Sequence, residues 1–219
     1  MINITNDNIS DIAIGNVFME KAFLGNQLVW QKSSPVLPYD AVISYIESSG
    51  TQYIDPNVLS GDTTDITMRM HILAADASKR LIGSSNTSFE YYLSSSSKLS
   101  VRSNNAAKNS SKTPGTGGQH TYRISNATNY FYYNSTSYSF THNGTSYQGA
   151  SLYLLIRPSA TSTGISARLY SCTIKEDNTL LRDFIPVRKD GIGYLYDRVS
   201  GELFGNAGTG DFILGPDVT

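Results

Sequence analysis

The run Ile66-Thr-Met-Arg-Met-His-Ile72 alternates strictly between apolar and polar side chains. A period of two puts Ile66, Met68, Met70 and Ile72 on one face, which predicts a half-buried strand. Similar short runs recur at 79–83, 89–93, 98–102, 120–124, 130–133, 137–142, 152–157, 167–176 and 180–186. Turn-forming clusters separate them, at 94–97, in His142-Asn-Gly-Thr145 and in Glu176-Asp-Asn178. Many short strands at this spacing predict a sandwich or barrel. No segment keeps a helical period over three turns, and 73–80 has room for one turn at most, so the expected class is all-β. Residues 106–118 (AAKNSSKTPGTGG) hold little that packs and are expected to form an exposed, mobile loop.

Residues 1–32 have a different texture. Ala13-Ile-Gly-Asn16 and Phe23-Leu-Gly-Asn26 each join an apolar pair to a Gly-Asn turn, and Leu28-Val-Trp30 follows as a closing strand. The spacing predicts three or four short strands in hairpins. Such a unit buries little by itself. It is expected to attach or oligomerise through Leu24, Leu28 and Trp30, because exposed strand edges and tryptophan both favour contacts with another chain. Residues 33–38 (Ser-Ser-Pro-Val-Leu-Pro) read as a linker, and 39–219 as the sandwich.

Composition narrows the function. Charged residues make up 16% of the chain, against about 25% in ordinary domains. The net charge is -1, so no basic surface is expected to draw in nucleic acid. No apolar run is long enough for membrane insertion. Cys172, the single cysteine, sits in an alternating strand and is expected to be a small buried hydrophobe. MINITNDNISDIAIG has neither a basic nor an apolar leader region, so the expectation is a protein made in a cytoplasm without a signal peptide.

Two segments carry a resemblance. Ile43-Ser-Tyr-Ile-Glu-Ser-Ser-Gly-Thr-Gln-Tyr-Ile-Asp55 resembles the opening of concanavalin-A-like, LamG-type jelly-roll domains of gut bacterial and phage proteins. Leu180-Leu-Arg-Asp-Phe-Ile-Pro-Val187, Gly191-Ile-Gly-Tyr-Leu-Tyr-Asp-Arg-Val-Ser-Gly-Glu-Leu-Phe204 and Asn206-Ala-Gly-Thr-Gly-Asp-Phe212 are similar to the ending of the same domains. The resemblance covers 39–215 and implies one concanavalin-A-like jelly-roll sandwich whose two ends lie together. Asp11-Ile-Ala-Ile-Gly through Leu28-Val-Trp-Gln31 is similar to short segments of phage tail, fibre and head-decoration proteins. Together these imply a structural protein of a phage virion that contacts other virion proteins, forms a homo-oligomer and touches host-surface or mucus glycan. The alternative is a lectin-like carbohydrate-binding module of a gut bacterium, and a third reading is a glycoside hydrolase.

Catalysis is not expected. A glycosidase needs two carboxylates about 5–9 Å apart, and no Glu-x-Asp-x-x-Glu run supplies them. Glu90, on an aromatic strand, is the one tempting carboxylate. His71, His120 and His142 are scattered, with no Gly-x-Ser-x-Gly elbow. Calcium stays open, because LamG-like sandwiches often hold it on loop carboxylates and Asp55, Asp62 and Asp65 are close in sequence. Asp62 and Asp65 also flank a Thr-Thr turn, where aspartate commonly bonds its own backbone. Glycan binding needs aromatic platforms, for which Tyr91, Tyr130, Tyr132 and Tyr138 are the candidates; alternation turns Tyr130 and Tyr132 to one side and Phe131 and Tyr133 to the other.

Overall fold

The computed structural model describes residues 12–14, 17–31, 37–86, 89–103, 106–141, 149–156 and 164–218. The chain separates into two compact units, Met1–Leu37 and Pro38–Thr219.

In the first unit, β1 (Ile12–Ile14) pairs with β2 (Val17–Met19), and β3 (Lys21–Leu24) with β4 (Gln27–Gln31). The second hairpin turns at Gly25-Asn26. Gly25 has φ +62°, at the central position that two-residue hairpins reserve for glycine. A register shift between Ala22 and Phe23 then places Trp30 opposite Ala22. Phe23, Leu24 and Leu28 are 59%, 74% and 45% exposed, while Trp30 is half-buried.

The second unit holds β5 (Ala41–Val42), β6 (Ile46–Ser49), β7 (Asp65–Ile72), β8 (Arg80–Ser84) and β9 (Phe89–Leu93). It continues with β10 (Leu99–Ser103), β11 (Ala106–Asn109), β12 (His120–Ser125), β13 (Tyr130–Tyr133), β14 (Thr136–Ser139) and β15 (Leu152–Leu154). The last five are β16 (Ser166–Glu176), β17 (Thr179–Lys189), β18 (Ile192–Asp197), β19 (Leu203–Phe204) and β20 (Ile213–Leu214). Among the described residues there is no helix. The smaller sheet runs β11-β10-β9-β8-β15. The larger runs β14-β13-β12-β7-β16-β17-β18-β19, with β5 against β17, β6 against β16 and β20 against β6. Pairings between these strands are antiparallel, and the unit is an all-β, jelly-roll-like sandwich.

The core lies between the inner faces of the two sheets. Ile66, Met68, Met70 and Ile72 of β7 are fully buried, as the alternation predicts. Tyr122 and Phe131 of the larger sheet meet Tyr91 of the smaller one edge-on, with ring centroids 6.1 and 5.6 Å away. Each such side chain adds roughly 1.5–3 kcal/mol by burial. In β16, simple alternation would send Leu169 and Cys172 to opposite faces. The register against β7 shifts between Leu169 and Ser171, so Tyr170 is an extra residue and both Leu169 and Cys172 point inward. Burial, helped by nearby Asp183, pushes the Cys172 thiol well up, and it stays protonated.

The two sequence motifs at the ends of this unit dock on one another. Ala41 and Val42 pair with Arg188 and Val187, and β6 pairs with β20. Tyr53 N donates to Asn206 Oδ1 at 3.0 Å, Gln52 Nε2 to the Asp211 carbonyl at 3.1 Å, and Thr209 N to the Thr51 carbonyl at 3.2 Å. Gly208 faces Thr51 so closely that a Cβ there would fall on the Thr51 carbonyl oxygen.

The segment 106–118 departs from the expected mobile loop. Ala106–Asn109 is the edge strand β11, and Pro114 is buried. Lys98 Nζ donates to Thr113 Oγ1 at 2.8 Å and Gly115 N to the Tyr133 hydroxyl at 2.9 Å. Composition misses this because the ties are pairing with β10 and hydrogen bonds to Lys98 and Tyr133 rather than apolar runs of its own.

Candidate functional site

Three clusters of aromatic and charged side chains stand on the outer faces of the sheets. The first is at the β12–β13 edge of the larger sheet. Tyr122 and Ile124, like Phe131 and Tyr133, fill the core, so Arg123, Tyr130 and Tyr132 must point outward. Tyr130 is 40% exposed, and its ring centroid lies 6.2 Å from that of Tyr132. The Arg123 guanidinium lies over the Tyr132 ring, 5.0 Å from its centroid. Its Nε is 2.9 and 3.0 Å from Asp65 Oδ1 and Oδ2, and Nη2 also donates to Oδ2. The hydrogen bonds to Asp65 raise the pKa of Arg123, so the group stays charged and oriented. A pair this exposed adds little stability, about 1 kcal/mol or less. Its consequence is geometric: it fixes a planar donor against an aromatic face.

The second cluster lies on the same outer face, across β7. Arg168 stands opposite Glu47 on one side and His71 on the other. Its Nε donates to Glu47 Oε2 at 2.6 Å, and its guanidinium lies over the Tyr45 ring at 4.6 Å. Tyr45 meets Tyr170 edge-on at 5.5 Å. Tyr170 is the residue that the β16 bulge adds, so the bulge supplies a ring to this face. The Glu47 hydrogen bond raises the pKa of Arg168.

The third cluster is on the outer face of the smaller sheet. All five residues of β9 are buried. Phe89, Tyr91 and Leu93 enter the core, while Glu90 and Tyr92 take the other side. Glu90 Oε2 accepts from Arg102 Nη1 at 2.9 Å, and Oε1 lies 3.3 Å from Arg80 Nε. Both guanidiniums lie over the Tyr92 ring, at 4.9 Å for Arg80 and 5.6 Å for Arg102. Glu90 is therefore a buried ion-pair carboxylate between two arginines.

Several candidates change standing. Tyr91 is no platform: it is fully buried, and its hydroxyl donates to the Tyr132 carbonyl at 2.9 Å. Tyr138 stacks on Phe131 at 5.0 Å and packs on the edge of the core. Tyr130 and Tyr132 do share the outer face. Asp55, Asp62 and Asp65 are not assembled for calcium. The carboxylate of Asp55 accepts the Asn57 amide at 2.8 Å, and Asp65 is committed to Arg123. Among the described residues, no group of three His, Cys, Asp or Glu is arranged to hold a metal. His71 Nε2 lies 2.8 Å from the Thr116 carbonyl, His120 Nδ1 lies 3.2 Å from Asn134 Nδ2, and His142 lies outside the described residues. Arg123, Tyr45, Glu47, Arg168 and Tyr170 escape a reading of the sequence. Alternation around Tyr122 and Ile124 turns Arg123 outward, but its partner Asp65 is 58 residues away.

No family model matches the sequence, and no curated protein matches it. Among solved structures, the chain is similar to one described as a putative carbohydrate binding protein from Bacteroides ovatus. The identity is 8% and the TM-score 0.58, covering 86% of this chain and 66% of that one, just under two thirds of its length. At that identity the likeness concerns the fold, an all-β sandwich of jelly-roll type.

Proposed function

We propose that this protein binds carbohydrate on the outer face of its larger sheet, at Tyr130 and Tyr132. The observation that carries the reading is the pair of outward tyrosines beside an arginine held flat by Asp65. A sugar ring presents an apolar C–H face and a rim of hydroxyls. Aromatic rings cover the first, and fixed guanidinium and carboxylate groups hydrogen-bond the second. The similarity in fold to a protein described as a putative carbohydrate binding protein supports the same reading. We assign the protein no catalysis. The one carboxylate that drew notice, Glu90, is held between two arginines on the opposite sheet.

The test is electrophoresis through native gels containing starch, laminarin, xylan, galactomannan or mucin. At least one should retard the wild-type protein, and Tyr130→Ala with Tyr132→Ala should sharply weaken the retardation while leaving thermal unfolding within a few degrees. Free migration of the wild type in all five gels, or unchanged retardation of the double variant, overturns the assignment.

A finer reading sets this module on a phage virion, in a head decoration, fibre or tail, as one copy of a homo-oligomer. The sequence resemblance of residues 11–31 supports it, as do the exposed Phe23, Leu24 and Leu28 on a hairpin of only two strands. Mass spectrometry of purified particles should find the protein. Leu24→Asp with Leu28→Asp should reduce the mass measured by light scattering to that of one chain; an unchanged mass removes this hairpin from the assembly.

A further inference from the structure

We infer that the outer face of the larger sheet takes an extended glycan chain across two subsites, Tyr130/Tyr132 and Tyr45/Tyr170. The inference rests on the carbohydrate reading above. Its motive is that one build occurs twice on a single face. Each site has two tyrosine rings in contact, an arginine lying on one of them, and a carboxylate that fixes the arginine.

Strand register sets their separation. Arg123 stands opposite Thr67 on one side of β7, and Arg168 opposite His71 on the other. Four residues along the strand and two strand spacings across it place the two arginine backbones roughly 17 Å apart. A single sugar does not bridge that span, whereas a linear oligosaccharide does. The surface between them suits such a chain. Thr67, Arg69, Ser171 and Thr173 point outward there and present hydroxyl and guanidinium groups without a large apolar side chain. Gln119 holds Arg69 through a 2.7 Å hydrogen bond, and Thr116 is tied to His71, so the segment before β12 borders the strip. One chain occupying both clusters adds its second contact at high effective concentration, which raises affinity without any new kind of interaction.

The test uses oligosaccharides cut from whichever polysaccharide retards the intact protein, graded from disaccharide to octasaccharide and titrated by calorimetry. Affinity should rise by about tenfold or more between disaccharide and hexasaccharide, and the stoichiometry should fall from two short ligands to one long ligand per protein. Tyr45→Ala with Tyr170→Ala should remove the gain with length and leave disaccharide binding at Tyr130/Tyr132. Arg168→Gln keeps both rings and should show a weaker form of the same loss, which covers the case in which the double variant does not fold. Equal affinity for short and long ligands, or a gain that survives loss of the Tyr45 cluster, overturns the two-subsite inference while the carbohydrate reading stands. Failure of every polysaccharide to bind overturns both.

Discussion

The hydroxyl of Tyr91 donates a 2.9 Å hydrogen bond to the carbonyl oxygen of Tyr132. Tyr91 belongs to the smaller sheet and Tyr132 to the larger, so the bond crosses the core and holds the strand whose outer face bears the candidate platform. Burial, with Tyr122, Tyr138 and Tyr133 nearby, raises the pKa of the Tyr91 phenol well above its ordinary value, and it remains a donor. Tyr91→Phe removes that bond alone. It should cost about 1 kcal/mol, which lowers Tm by roughly 2–4 °C in a chain of this size, and it should weaken retardation in polysaccharide gels. Calorimetric melting and the same gels check both parts.

Glu90 is expected to be structural. Glu90→Ala leaves Arg80 and Arg102 facing each other across Tyr92 without their shared counter-charge, at a cost of about 3 kcal/mol or more. Chemical denaturation measures this. Glu90→Gln keeps the shape and should bind polysaccharide as the wild type does, since the proposed face is on the other sheet. A loss of binding in a folded Glu90→Gln protein would move the site to the smaller sheet.

Asp197 should make the fold acid-sensitive. It is buried at the end of β18 and accepts the amides of Asp183, Val199 and Ser200 at 2.7, 3.1 and 3.3 Å, with the Ser200 hydroxyl at 2.9 Å. Burial pushes its pKa up, but these hydrogen bonds outweigh burial and hold it below the usual carboxylate value. The unfolded chain therefore binds the proton more tightly than the native one. The stabilisation is present above the unfolded pKa, about 3.9, and disappears as pH falls through the lower native value. Asp197→Asn should lower Tm at neutral pH and flatten the decline of Tm below about pH 4.

Gly208 tests the docking of the two terminal motifs. Gly208→Ala drives a methyl group into the Thr51 carbonyl oxygen, which is backbone and cannot swing aside. Overpacking of this kind costs roughly 1–3 kcal/mol, and more if the contacts of Gln52 and Tyr53 with Asn206–Asp211 separate with it. Gly117→Ala, with open space around its Cβ, should leave Tm unchanged.

Periodicity is local, and it carried what local chemistry carries. Alternation put Ile66, Met68, Met70 and Ile72 on one face and set Tyr130 and Tyr132 opposite Phe131 and Tyr133, because the pleat enforces a period of two whatever the partner strand; which of the two tyrosine-bearing faces turned inward was decided by the core. The likeness between residues 43–55 and 180–212 and the two ends of a known domain likewise matched segments that dock on each other. Three things needed the tertiary structure. Tyr91 reads as an exposed aromatic beside Tyr92, yet β9 is covered on both faces, and no local pattern distinguishes a strand buried twice from one buried once. The bulge at Tyr170 changes the parity of β16, and its only sign is the pairing with β7. Asp65 looks like a turn or calcium residue among neighbouring aspartates, but the register of β7 against β12 delivers it to Arg123. Charge pairs and aromatic contacts between strands depend on which residues the sheets bring opposite one another, and that choice is made by the whole core rather than by any one segment.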